Sequence, residues 1–127
     1  MKAMDITAPV IRAYLGAGER ELRFDHRQQM LAERYYELAL GQAMGYIGIL
    51  YRAHRMQYGA LAACVYGALV SAGETGEDGR PLTWQEFDAA VDYAQLIACR
   101  EELLAALDAA FPEDKPKNAE AQGETQA

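Results

Sequence analysis

Tyr58–Gly73 reads YGALAACVYGALVSAG, without one charged residue, in a chain of 127 residues that carries 19 Asp and Glu against 12 Lys and Arg. Three readings compete for such a stretch: a membrane segment, the centre of a soluble core, or apolar surface kept for a partner. Length decides against the first. As a helix rising ~1.5 Å per residue it reaches about 24 Å, short of the roughly 30 Å of hydrocarbon in a bilayer. Arg52, His54, Arg55 and Gln57 stand before it and Glu74, Glu77 and Asp78 after it, all costly in lipid. Within it, Tyr58, Leu61, Ala62, Val65 and Leu69 recur at helical spacing, while Gly59, Ala63 and Gly67 form a second stripe of small residues. The pattern predicts a helix packed on more than one side, with the small stripe admitting a second backbone. Self-association through that stripe is one expectation.

VIRAYL at Val10–Leu15 and RELRF at Arg20–Phe24 flank the turn-forming Gly16-Ala17-Gly18-Glu19, which predicts a β-hairpin. Ile11, Ala13 and Leu15 then share the inner face with Leu22 and Phe24, and Glu21 and Arg23 face water. An isolated hairpin is marginal, so helices must cover it. Asp25 followed by Gln28 predicts a helix start with a capping box. Met30, Leu31, Tyr35 and Leu38 are expected on its apolar side, Arg27, Glu33, Arg34 and Glu37 on its wet side, and its end near Gly41. The glycine-rich Gly41–Arg55 reads as a loop entering a short helix around Tyr46–Arg55.

ETGEDGRP, residues 74–81, is a polar break, and LTWQEF after it is a strong helix start, with Thr83 as N-cap, Glu86 closing a capping box and Leu82 packing on Phe87. Phe87, Val91 and Ala94, then Ile97, Leu103, Leu104, Leu107 and Phe111, continue the apolar side in one bent helix or two, until Pro112. The expected fold is mainly α: residues 1–8 flexible, 9–112 a single small helical domain with an N-terminal β-hairpin, and 113–127 a disordered polar tail.

Chemistry is sought without success. A formal net charge of −7 disfavours phosphate-backbone binding, and RAHR at Arg52–Arg55 is the one compact basic cluster, so nucleic acid is an improbable partner. No glycine-rich phosphate loop, nucleophile elbow or Cys-x-x-Cys occurs. His26, His54, Cys64 and Cys99 lack the short paired spacing of a metal site, and the cysteines read as buried, reduced small hydrophobes. No catalytic, cofactor-binding or metal-ligating residues are assigned, and no secretory signal opens the chain, so a cytoplasmic, non-catalytic protein is expected.

The order of the parts says more. A hairpin ending in LRFD, a helix, an apolar small-residue helix closing on GALVSAG, a polar gap, LTWQEF, then LLAALDAAFPE and a tail with PKNAEAQ resembles the tail assembly chaperones of long-tailed bacteriophages, related prophages and gene transfer agents. Gly41–Tyr51 departs most from that pattern. The resemblance implies a protein of the host cytoplasm that binds the long tape measure protein, keeps it soluble, helps recruit tail tube protein and is absent from the finished particle. It also implies a longer, frameshifted form in some members, with a slip site near the PKN tail. A holdase needs apolar contact area within a charged surface. The residues expected to supply it are Met44, Tyr46, Ile47, Leu50 and Tyr51 with the outer side of the Tyr58–Val70 helix, as a groove or face for amphipathic partner segments. Burial of all of these side chains in the domain's own core, Tyr46 and Tyr51 included, stays open beside that role. Two rivals stand beside the chaperone: another small phage structural or connector protein, and a nucleic-acid-binding regulator.

Overall fold

The computed structural model describes residues 8–110, a mainly α domain with an N-terminal hairpin. The expected flexible start and polar tail, with Phe111 and Pro112, fall almost wholly outside the described residues. Strands β1 (Val10–Leu15) and β2 (Gly18–Arg23) pair antiparallel, with Ile11 opposite Leu22 and Leu15 opposite Gly18. The turn is Gly16-Ala17 alone. Gly16 has φ 65°, and a glycine at the first of two turn residues matches the twist of the flanking strands, so Gly18 and Glu19 belong to β2 rather than to a four-residue turn. Ala13, Leu15, Leu22 and Phe24 are buried, the inner face that the alternation predicts.

Six helices follow: α1 (His26–Leu40), α2 (Tyr46–His54), α3 (Tyr58–Ser71), α4 (Trp84–Ala90), α5 (Tyr93–Ala98) and α6 (Arg100–Ala110). The opening stretch is α3, and every residue from Ala60 to Val70 is buried. It is the centre of the core, packed by α1, α2, α5 and β2. No helix among the described residues is long and apolar enough to cross a membrane.

The small stripe of α3 is used inside the domain. A Cβ on Gly67 would fall against the Gln28 carbonyl oxygen and 3.2 Å from the Ala32 nitrogen of α1, and one on Gly59 would meet Leu40. Ala63 is fully buried. The small residues on which self-association is expected thus admit α1.

That close approach also rotates α1 from its expected orientation. Its buried residues are Gln28, Ala32, Tyr35 and Tyr36, spaced as one helical face, whereas Met30 is 58% and Leu38 49% exposed. Two backbones in contact need small side chains between them, and Ala32 opposite Gly67 meets that need where Met30 or Leu38 would not. The start and end of α1 are as expected: the Asp25 carboxylate accepts from the Gln28 N–H at 2.9 Å, and Gly41 closes the helix at φ 74°. The same carboxylate accepts from the Ser71 hydroxyl at 2.6 Å, tying the start of α1 to the end of α3. Gln28 does not reach back to complete a capping box. Its side chain is fully buried and donates to the Cys64 carbonyl at 3.3 Å.

Beyond α3 the chain forms three short helices, neither one bent helix nor two. Thr83 caps α4 with the expected box: its hydroxyl accepts from the Glu86 N–H at 3.2 Å, and its own N–H donates to the Glu86 carboxylate at 2.9 Å. The N–H groups of Thr83 and Glu77 hold that carboxyl below its ordinary pKa. Leu82 and Phe87 line one small cavity with Val91, and the buried Phe87 ring packs edge-on against Tyr35 and Tyr66, which also contact each other. Val91 is extended, ending α4, and Asp92 with Gln95 forms a second capping box that starts α5 and leaves Ala94 exposed. Gln95 also exchanges two hydrogen bonds with the Gly16 backbone, at 3.0 and 2.9 Å, fastening α5 to the hairpin turn. Leu96, Leu103 and Leu107 bring α5 and α6 into the core.

Thr83→Ala is expected to cost about 1 kcal/mol, the ordinary worth of such a cap. Urea unfolding followed by circular dichroism measures it, and an unchanged midpoint would mean that the cap carries no stability.

Candidate interaction surface

The residues expected to contact a partner separate into three groups. Tyr46 and Val70 are core, 6% and 3% exposed, and leave the candidate surface. The reason for Val70 is the enclosure of α3, which has no outer side along Ala60–Val70. Tyr46 is drawn inward by polar partners. Its hydroxyl donates to the buried Gln28 amide oxygen at 3.3 Å, beside the Cys64 thiol, and burial pushes both the Tyr46 phenol and the Cys64 thiol up in pKa, the thiol to about 12. Its N–H donates to Glu33 at 2.8 Å, so an α1 carboxylate caps α2, whose own N-cap is a glycine without a side chain to do so.

Met44 and Leu50 are half-buried against the core, whereas Ile47 and Tyr51 are exposed at 68% and 62%. Ile47 and Tyr51 stand one helical turn apart on α2, so they share a face. The Arg55 guanidinium lies 5.5 Å above the Tyr51 ring and holds it in place. Tyr58 is also exposed, its ring 5.0 Å from that of Tyr93 on α5. With Tyr46 and Val70 buried, the seven residues do not all reach the surface.

Two further large apolar side chains, Met30 and Leu38 on α1, are exposed outside the expected surface. The outer face of α1 carries Met30, Arg34 and Leu38, with a groove along each flank. One, of about 480 Å³, lies between Met30, Glu33, Arg34 and Glu37 of α1 and Ala43, Met44 and Gly45 before α2. The other, of about 540 Å³, lies between α1 and Pro81–Gln85, with Leu31, Leu38, Leu82 and Trp84 among its walls and Arg27 and Arg34 at its edge. Met30 and Arg34 border both, forming the ridge between them. The signal that could have found this ridge was the pairing of Ala32 with Gly67, which fixes the inward face of α1 and leaves Met30 and Leu38 outside.

The remaining polar clusters serve the fold. Within RAHR, Arg52 donates to the Tyr36 hydroxyl at 3.1 Å, His54 meets Asp108 of α6 at 2.8 Å, and Arg55 covers Tyr51. Cys64 and Cys99 are buried free thiols. Among the described residues no group of three or more His, Cys, Asp or Glu side chains gathers as a metal site. No family model, curated protein or solved structure matches the chain.

Proposed function

We propose that the chain is a tail assembly chaperone, which binds amphipathic segments of a tape measure protein in the host cytoplasm, keeps that protein soluble and helps recruit tail tube protein. The observation that carries the reading is the exposure of large apolar side chains, Met30 and Leu38 on α1 beside its grooves and Ile47 and Tyr51 on one face of α2, in a chain of net charge −7. Large apolar side chains gathered on a charged surface favour contact with another polypeptide, while the acidic remainder keeps the complex in solution. The order of hairpin, helix, apolar helix, polar gap and capped helix supports the family named by the resemblance.

Co-expression with a cognate tape measure protein tests it. The expected result is a several-fold larger soluble fraction of that protein, lost in an Ile47→Lys/Tyr51→Lys variant that keeps its helicity. Equal solubility with and without this chain sinks the reading. So does its presence at stoichiometric level in purified particles, which indicates a connector or other virion component.

A further inference from the structure

The groove between α1 and Pro81–Gln85 differs in charge from the rest of the molecule. Its apolar walls include Met30, Leu31, Leu38 and the half-buried ring of Trp84, and its charged lining residues are Arg27 and Arg34, with no carboxylate among them. Both arginines are exposed. Elsewhere arginines are engaged: Arg12 with Glu19, Arg20 with Glu74, Arg80 with Asp78, Arg52 with Tyr36, Arg55 with the Tyr51 ring, and Arg100 with the Ile97 carbonyl. Arg27 and Arg34 make no hydrogen bond or ion pair among the described residues, a state shared only with Arg23 on β2. They stand two turns apart on one face of α1, about 10.5 Å along its axis.

We propose that this groove is the docking site for an acidic amphipathic helix of a partner protein. The helix places an apolar ridge on Met30, Leu38 and Trp84, and two carboxylates, also two turns apart, on Arg27 and Arg34. Charge selects this occupant. In a chain with 19 acidic residues, two unpaired guanidiniums at the lip of an apolar groove attract carboxylates and repel basic segments. The opposite groove, which carries Glu33 and Glu37 beside Arg34, lacks that preference. The inference rests on the reading above in one respect, that the chain binds another polypeptide, and adds where and with what chemistry.

The chain has a single tryptophan, Trp84, inside the groove, which makes the test direct. The probe is a synthetic helical peptide of about five turns, free of Trp and Tyr, with a leucine ridge and glutamates two turns apart beside it. Its control carries lysine at each glutamate. Added to the full chain, the glutamate peptide is expected to shift Trp84 emission saturably, and the lysine peptide to bind at least tenfold more weakly. In Arg27→Glu/Arg34→Glu the order of the two peptides reverses, with helicity and melting temperature unchanged because neither arginine makes a hydrogen bond or ion pair among the described residues. Leu38→Asp weakens both peptides.

An emission spectrum unmoved by either peptide overturns the proposal, as does a preference that survives charge reversal. A dimer in sedimentation that the double variant disperses overturns it as well, because a second copy then fills the groove. Co-expression separates this from the chaperone reading. If Arg27→Glu/Arg34→Glu still solubilises the tape measure protein as the unaltered chain does, the groove assignment fails and the chaperone reading stands. If the unaltered chain fails to solubilise it while the peptide preference holds, the reverse is true.

Discussion

Gly67→Val is expected to abolish the cooperative unfolding transition, and Gly67→Ala to lower stability by about 3 kcal/mol, the upper end of ordinary overpacking. The obstacle is backbone. A Cβ at this position would overlap the Gln28 carbonyl oxygen and press on the Ala32 nitrogen at 3.2 Å, and neither atom has a rotamer through which to yield. Relief requires α1 to withdraw from α3. That withdrawal uncovers Ala32, Tyr35 and Tyr36 and breaks the hydrogen bond from Gln28 to the Cys64 carbonyl. Replacing glycine in a helix interior returns about 1 kcal/mol of propensity, too little to compensate. Against a total of roughly 5–15 kcal/mol, the valine variant has little margin left. Chemical denaturation followed by circular dichroism reads both variants. Gly18→Ala is the control, because a Cβ there meets nothing within 4 Å and its φ lies outside the left-handed region. An alanine variant at Gly67 with the unaltered midpoint would refute the close approach of α1 and α3.

The same contact explains how far the fold was legible. The hairpin, the Asp25 cap, the Gly41 stop, α2, the central α3 and the Thr83 box each rest on local chemistry, and local chemistry is written in adjacent residues. The orientation of α1 is not local. Met30, Leu31, Tyr35 and Leu38 recur at near-helical spacing, so periodicity turns all four inward, whereas only Tyr35 is buried and Leu31 half-buried. The packing instead selects the face whose side chains let two backbones meet, and one of its members, Gln28, is polar. Its amide is accommodated because the Cys64 carbonyl and the Tyr46 hydroxyl satisfy both ends, partners that lie 36 and 18 residues away. The break between α4 and α5 was legible in principle: Asp92 and Gln95 have the spacing of a capping box, but Phe87, Val91 and Ala94 also fit one continuous helix.

Legibility of the candidate surface failed for a related reason. Ile47 and Tyr51 belong to a helix with two sides, and their spacing placed them on one face without saying which. Tyr46, their neighbour, went to the core because its hydroxyl has Gln28 to meet there. Val70 went with α3, where the run of small and apolar residues is itself the mark of enclosure from all sides. Arg27 and Arg34 stand on the wet face that the periodicity predicts, and both are exposed. Their relation to Trp84 depends on where residues 81–85 return across α1, set by the Tyr66 hydroxyl donating to the Leu82 carbonyl at 2.8 Å.

Stability is expected to fall steeply in alkaline solution, beginning near pH 9 and continuing to about pH 12. The cause is the buried cluster of Gln28, Tyr46 and Cys64. Burial raises the Cys64 thiol from its ordinary 9.0 to about 12, and raises the Tyr46 phenol above its ordinary 10.0. Tyr35 shifts the same way, first by burial and then by its hydrogen bond to Asp88. In each case the unfolded chain loses its proton first. The folded state therefore holds more protons above the unfolded pKa, and the slope of unfolding free energy with pH is negative. The stabilisation is complete below about pH 9 and drains away as pH climbs through the folded values. Each unit of displacement carries about 1.4 kcal/mol, so the thiol alone removes several kcal/mol across that window, a large share of the total. Urea midpoints measured from pH 7 upward give the slope. Cys64→Ser, which leaves a hydroxyl that does not ionise in this range, is expected to flatten it, and Tyr46→Phe to flatten its upper part. A thiol reagent should leave Cys64 unmodified until the chain unfolds, since only the thiolate attacks and the folded core suppresses it. Equal slopes for the unaltered chain and Cys64→Ser would show that the thiol titrates as freely in the folded state as in the unfolded one, and the buried cluster would lose its part in alkaline unfolding.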